Sequence, residues 1–261
     1  MKKKTAASFA ALFAAAVLVA PLALGAADSR YAALLKKADD HTNFADTDFS
    51  AEYTITQDKP GEGRTVTKAM AFRRDRKAQF LVLLVEPAED KGKGYLMVEG
   101  GLWLYDPRDR RFTFTSAEDA FRNTNARNSD FALSNLAGLY EATAGSKEKL
   151  GIYSCTKLDL KAKSPAAPFP RKTVWISDDN AVRMFKDYSL SGQLLRTVAY
   201  QYQTLRGRDV PARIVIVDEL KKKVIDGKEK KETTMISIAK PSFSDLPAEL
   251  FTKEYLERTS R

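Results

Sequence analysis

Cysteine and histidine are almost missing from this chain: among 261 residues there is one of each, Cys155 and His41. A single cysteine excludes an internal disulfide framework and any zinc site built on thiolates. A single histidine excludes sites made of two or three imidazoles and leaves any Ser-His or Cys-His catalyst one candidate base. The nucleophile elbow G-x-S-x-G, the phosphate-binding P-loop, H-E-x-x-H and a Gly-rich dinucleotide turn are absent too. His41 closes the stretch Asp39-Asp40-His41 and reads as a helix-end residue whose positive charge suits the dipole, in preference to a general base. Asp106, Asp178 and Asp179 sit in turn-like stretches, where Asp binds its own backbone, and give no support to a metal or glycosidase pair. Cys155, beside Ile152-Tyr153-Ser154, reads as a buried, inert thiol. No cofactor is expected, and the residues name no catalytic group.

A long apolar run occurs only at the start. Residues 1–27 read MKKKTAASFAALFAAAVLVAPLALGAA: three lysines, an apolar stretch broken at Pro21, and small residues to Ala27. That is the layout of a cleaved secretory signal peptide, with an uncleaved anchor helix as the competing reading. Removing Lys2, Lys3 and Lys4 lowers the net charge from +9 to +6. Nothing later is apolar enough to span a bilayer, so residues 28–261 are expected to form one soluble domain in an exported compartment, the periplasm. The remaining basic residues are scattered among acids, which argues against nucleic acid as a partner. The Lys-rich stretch Lys221 to Lys231 reads as a solvated hairpin tip, or else as a patch facing anionic headgroups or an acidic partner.

With 44% apolar residues the chain can build a core. Tyr31, Leu34, Leu35 and Ala38 recur at helical spacing and predict a helix of about four turns, capped by Asp28 or Ser29. From Phe49 the period changes to two. Short alternating runs separated by Pro/Gly turns then predict about eleven antiparallel strands. A loop and a short helix from about Ser129 interrupt them, strands resume at Gly151, and Pro247 opens a last helix. The predicted class is α+β: a curled antiparallel sheet, or incomplete β-barrel, with helices covering its concave face. Aromatic residues and methionine are concentrated on the strands. Phe49, Tyr53, Met70, Phe72, Trp103, Phe112, Phe114, Trp175, Met184 and Tyr200 are therefore the candidates for lining an apolar cavity. Periodicity alone leaves open whether they line a cavity or fill the core.

The order of motifs separates these readings. Phe80 to Pro87, Lys91-Gly92-Lys93-Gly94-Tyr95-Leu96 and Leu102-Trp103-Leu104-Tyr105-Asp106-Pro107 resemble the outer-membrane lipoprotein-sorting (LolA-like) protein family. Asn128-Ser129-Asp130-Phe131 is similar to that family's G-S-D-F segment, with Asn in place of Gly. Val174-Trp175-Ile176, Ser191-Gly192-Gln193-Leu194, Pro211-Ala212-Arg213-Ile214 and Leu250 to Leu256 continue the likeness, which spans about residues 28–258. The resemblance implies an incomplete barrel whose cavity holds acyl chains, and a periplasmic carrier of lipoproteins or phospholipid without catalysis. It further implies an inner-membrane donor, an outer-membrane acceptor and transient membrane contact. The rival readings are a periplasmic sensor or interaction protein on the same fold, and a lipid hydrolase.

Overall fold

The structure is a computed structural model and describes residues 24–259. Most of the expected signal peptide, residues 1–23, lies outside the described residues. The first helix, α1 (Leu24–Thr42), starts before the expected cap at Asp28 or Ser29. Leu24-Gly25-Ala26-Ala27 continues the helix in the intact chain because alanine is the strongest helix former.

Thirteen strands follow. The first six are β1 (Phe49–Lys59), β2 (Gly63–Arg74), β3 (Gln79–Glu86), β4 (Gly94–Val98), β5 (Gly101–Asp106) and β6 (Arg111–Phe114). After a long irregular segment and the one-turn helix α2 (Leu136–Leu139) come β7 (Tyr140–Leu150), β8 (Tyr153–Ala162), β9 (Arg171–Ser177) and β10 (Val182–Tyr188). Then β11 (Leu194–Leu205), β12 (Arg208–Ile225), β13 (Lys228–Ser242) and the helix α3 (Lys253–Thr259) complete the chain. All thirteen strands form one sheet in the order β6-β5-β4-β3-β2-β1-β13-β12-β11-β10-β9-β8-β7. The class is the predicted one, an antiparallel sheet not closed into a barrel. The strand that the sequence reading did not anticipate is β7. Its Glu141, Ser146, Lys147, Glu148 and Lys149 carry no apolar alternation, because it is an edge strand with most of its length exposed. The strands β12 and β13 also run farther than expected, through the lysine-rich stretch to the turn at Asp226-Gly227. Cross-strand pairing such as Lys222 with Glu229 offsets the like charges there.

The path of the chain explains where the site lies. It enters the middle of the sheet at β1, walks outward by hairpins to the edge strand β6, and must reach the opposite edge at β7. Residues 115–139 make that crossing. Phe121, Ala126 and Phe131 are buried in the same apolar cluster as inward-facing residues from β1, β2, β3, β9, β10, β11, β12 and β13. One cluster fed by strands so far apart in the sheet means that the sheet curls around it. Asn125 N–H, for example, donates to Thr234 Oγ1 of β13 at 2.8 Å and to Gln57 Oε1 of β1 at 3.2 Å. Helix α1 clamps the far end of the crossing. Its buried Asp39 accepts hydrogen bonds from Ser134 Oγ and from the Leu136 and Ala137 backbone N–H groups, so it caps α2 from outside.

A second, smaller cluster lies on the outer face, where Leu81, Leu96 and Tyr105 are covered by Leu256 of α3, with Phe72 and Phe112 packed against them. Gly94 permits the approach: a Cβ there would lie 2.4 Å from Leu256 Cδ2.

Candidate functional site

The curled sheet and the crossing segment leave a cavity of about 370 Å³ between them. That is at the lower end of the roughly 300–1,000 Å³ of small-molecule sites. Alternate residues of the central strands form its floor: Phe49 and Tyr53 of β1, Ile214 of β12, and Ile236 and Ile238 of β13. Phe185 of β10 with Tyr200 and Tyr202 of β11 forms one side. The crossing segment from Ser129 to Leu136, with Leu139 and Tyr140, forms the other. Burial pushes the pKa of Tyr53 up, and that of Tyr200 well up, so both phenols remain protonated, neutral donors.

Three of the ten residues proposed from the alternating runs, Phe49, Tyr53 and Tyr200, line this cavity. The other seven lie elsewhere. Met70 and Phe72 alternate with the inward Ala69, Ala71 and Arg73, so they face outward, and Phe72 joins the cluster under α3. Phe112 packs on Tyr105 in the same outer cluster. Trp103 meets Phe114 edge-on and carries the Lys253 ammonium over its ring at 3.4 Å, while Phe114 is largely exposed. Trp175 and Met184 are cross-strand neighbours on the outer face, where Lys157 and Lys186 flank the indole. The parity of these strands misleads because α3 and long lysine stems cover apolar side chains on the outer face, so aromatic residues occur on both sides of one sheet.

The alternation also missed the charged side chains at the cavity. Lys172, Arg196 and Asp130 line it together with Arg73. Lys172, Asp187 and Arg196 stand directly opposite one another across β9, β10 and β11, forming one inward row. Lys172 Nζ donates to Asp187 Oδ1, and Arg196 Nε donates to Asp187 Oδ2 at 2.6 Å. The far edge of the Arg196 guanidinium donates to both carboxylate oxygens of Asp130, at 2.7 and 2.9 Å. Asp130 belongs to the N-S-D-F segment of the crossing. The Phe169 and Phe185 rings lie against both cations, with Lys172 Nζ 3.7 Å from the Phe185 centroid. Burial lowers the pKa of Lys172, which Asp187 offsets only in part. Burial also opposes the charge on Arg196, but the Asp130 and Asp187 carboxylates outweigh it and raise its pKa. A signal for this row existed in the sequence, since Lys172, Asp187 and Arg196 are charges set among apolar strand residues. The pairing that unites them requires the register.

The other polar candidates have modest surroundings. His41 lies in the last turn of α1, with Nε2 3.6 Å from Asp209 Oδ2. Asp179 accepts from Ser177 Oγ and Ala181 N–H within its own turn, and Asp106 accepts from Arg108 N–H. Cys155 is free and buried, and burial raises its thiol pKa. Among the described residues no group of His, Cys, Asp and Glu has the arrangement of a metal site, and no helix is long and apolar enough to cross a membrane.

A comparison with curated proteins gives no match. Solved structures match over nearly their whole length. A LolA superfamily protein from Nitrosomonas europaea has 24% identity and a TM-score of 0.71, covering 85% of this chain and 97% of its own. An outer membrane lipoprotein-sorting protein domain from Vibrio parahaemolyticus has 14% identity and a TM-score of 0.75, with 87% and 98% covered. A DUF1329 family protein from Desulfovibrio piger has 15% identity and a TM-score of 0.75, with 88% and 98% covered. A family model described as "Uncharacterized protein" matches residues 76–258. The chain therefore belongs to that family, and its fold is the LolA-like fold of outer-membrane lipoprotein-sorting proteins.

Proposed function

We propose that this protein is a periplasmic carrier that shelters the acyl chains of a lipoprotein or lipid in the inner cavity and passes them towards the outer membrane. The observation that carries this reading is a largely apolar cavity of about 370 Å³, floored by the sheet and walled by the crossing segment. Each buried CH₂ is worth about 0.8 kcal/mol, so acyl chains do not cross water unaided. On this reading the wall, which lies outside the sheet and holds only short helical turns, parts to admit the chains and then reseals. The work is binding and release, without a covalent step. The description of one fold neighbour as an outer membrane lipoprotein-sorting protein domain, and of another as a LolA superfamily protein, supports the same reading. The proposal includes export by residues 1–27, a single domain over 28–261, and transient contact with an inner-membrane donor and an outer-membrane acceptor.

The test is to purify the exported protein and extract it for mass spectrometry, then titrate the delipidated protein with a fluorescent fatty acid. Bound acyl lipid and saturable uptake are expected, with Ile238→Trp, which fills the cavity floor, weakening uptake at least tenfold while leaving the circular dichroism spectrum unchanged. A protein that emerges without lipid and takes up none would overturn the carrier reading in favour of an interaction protein on the same fold.

A further inference from the structure

The row Lys172–Asp187–Arg196 is an incomplete ion set. Taken by itself, the sheet buries two cations and one carboxylate against the Phe169 and Phe185 rings. The missing negative charge comes from outside the sheet, on Asp130 of the crossing segment. Asp130 presents its carboxylate edge-on to the Arg196 fork at the cavity wall, and its Oδ2 also accepts from the Arg127 backbone N–H, at 2.8 Å. If the crossing segment shifts to admit a ligand, Asp130 leaves and an uncompensated cation remains in a desolvated, aromatic setting. That is strongly unfavourable unless another anion arrives. A planar carboxylate or a phosphate fits the two parallel donors that Asp130 vacates. The Tyr200 phenol, which lines the cavity next to this row, adds a neutral donor.

We infer that Lys172 and Arg196 form an anion site for the acidic head of a single-chain amphiphile, with Asp130 as its resident occupant, displaced when the ligand binds. The site lies at the same cavity as the apolar floor of β1 and β13, so one ligand can place its head on Arg196 and its chain along Tyr53 and Ile238. This inference rests on the carrier reading above and narrows it to acidic amphiphiles, a carboxylate or phosphate monoester head on an acyl or alkyl chain.

Isothermal titration of the delipidated protein with four probes tests it: palmitate, hexadecyl phosphate, neutral monopalmitoyl glycerol, and inorganic phosphate. The two acidic amphiphiles should bind at least tenfold tighter than the neutral one, and inorganic phosphate much more weakly than hexadecyl phosphate. Arg196→Gln should abolish the preference while leaving the neutral probe bound. Asp130→Asn keeps the backbone cap, removes the competing charge, and should tighten only the acidic probes. It should also lower the melting temperature of the empty protein and enlarge the shift that palmitate produces. If Arg196→Gln does not fold, Asp130→Asn decides. Equal binding of acidic and neutral amphiphiles, or an Asp130→Asn variant with unchanged selectivity, overturns the inference and leaves the carrier reading standing. Inorganic phosphate binding as tightly as hexadecyl phosphate overturns it in favour of a simple anion site. Binding of none of the four overturns both.

Discussion

Asp48, fully buried at the start of the sheet, holds two guanidinium groups. Arg74 donates to it through Nε and Nη2, at 3.2 and 2.8 Å, and Arg76 through Nη1 at 2.6 Å. The Leu246 N–H donates to the same carboxylate at 2.9 Å, so this side chain ties β1 to the end of β2 and to the C-terminal segment. Burial opposes its charge, but Arg74, the Leu246 N–H and Arg76 outweigh that and hold its pKa below the ordinary carboxylate range. Because the folded pKa is the lower one, the unfolded chain takes up the proton first. The contribution is complete above about pH 4 and is lost as pH falls through the folded value. Asp106, Asp179 and Glu219 shift in the same direction. Asp48→Asn should cost about 3–5 kcal/mol at pH 7, by stranding the buried Arg74 guanidinium, while the exposed Arg76 turns to solvent. It should also flatten part of the loss of stability between pH 4 and pH 2; urea midpoints across that range measure both. None of these partners was visible in the sequence, where Asp48 is one acid in the loop Asp46-Thr47-Asp48 and Arg74 one base in the run Arg73 to Arg76.

At the scale of elements, α3 is a short helix with one apolar anchor. Leu256 is fully buried against Leu81, Leu96 and Tyr105, and the absence of a side chain at Gly94 lets it sit there. Leu256→Ala should cost about 2–5 kcal/mol. Gly94→Ala should be destabilising because its new methyl would meet Leu256. Combined with Leu256→Ala it should cost less than the sum, and a double-mutant cycle by denaturant unfolding reads that coupling. Pro247, expected to open the last helix, instead precedes a short 3₁₀ turn at Ala248–Phe251, and α3 begins only at Lys253. Strand β7 was not legible, because its polar, exposed side chains satisfy edge pairing with β8 and leave no periodic trace.

For the whole molecule, the central fact is that a meander starting in mid-sheet must cross from one edge to the other. Residues 115–139 carry that crossing, wall the cavity and contribute Asp130. A ligand held between sheet and crossing segment therefore stabilises the whole fold. At a hundredfold excess over its Kd a fatty acid should add about 2.7 kcal/mol, raising the melting temperature by roughly 5–10 °C. Calorimetry of the delipidated protein with and without palmitate measures this. A shift no larger than that of a control detergent monomer would count against a ligand site at the cavity.

Local pattern alone carried a good deal. The helical spacing of Tyr31, Leu34, Leu35 and Ala38, the two-residue alternation from Phe49 onwards and the Pro/Gly turns determine helix, strands and hairpins, because each is a short-range preference of the backbone. The near-absence of His and Cys excluded sites built on several imidazoles or thiolates, and the order of the motifs pointed to the LolA-like fold. Which face of a strand looks inward was settled only by the curl of the sheet and by what covers its back. Phe49, Tyr53 and Tyr200 came to line the cavity, while Phe72, Phe112 and Trp175 pack on the outside. The charge row of Lys172, Asp187 and Arg196 with Asp130 likewise exists only in three dimensions. Its members lie up to 66 residues apart, and register and chain crossing bring them within hydrogen-bonding distance.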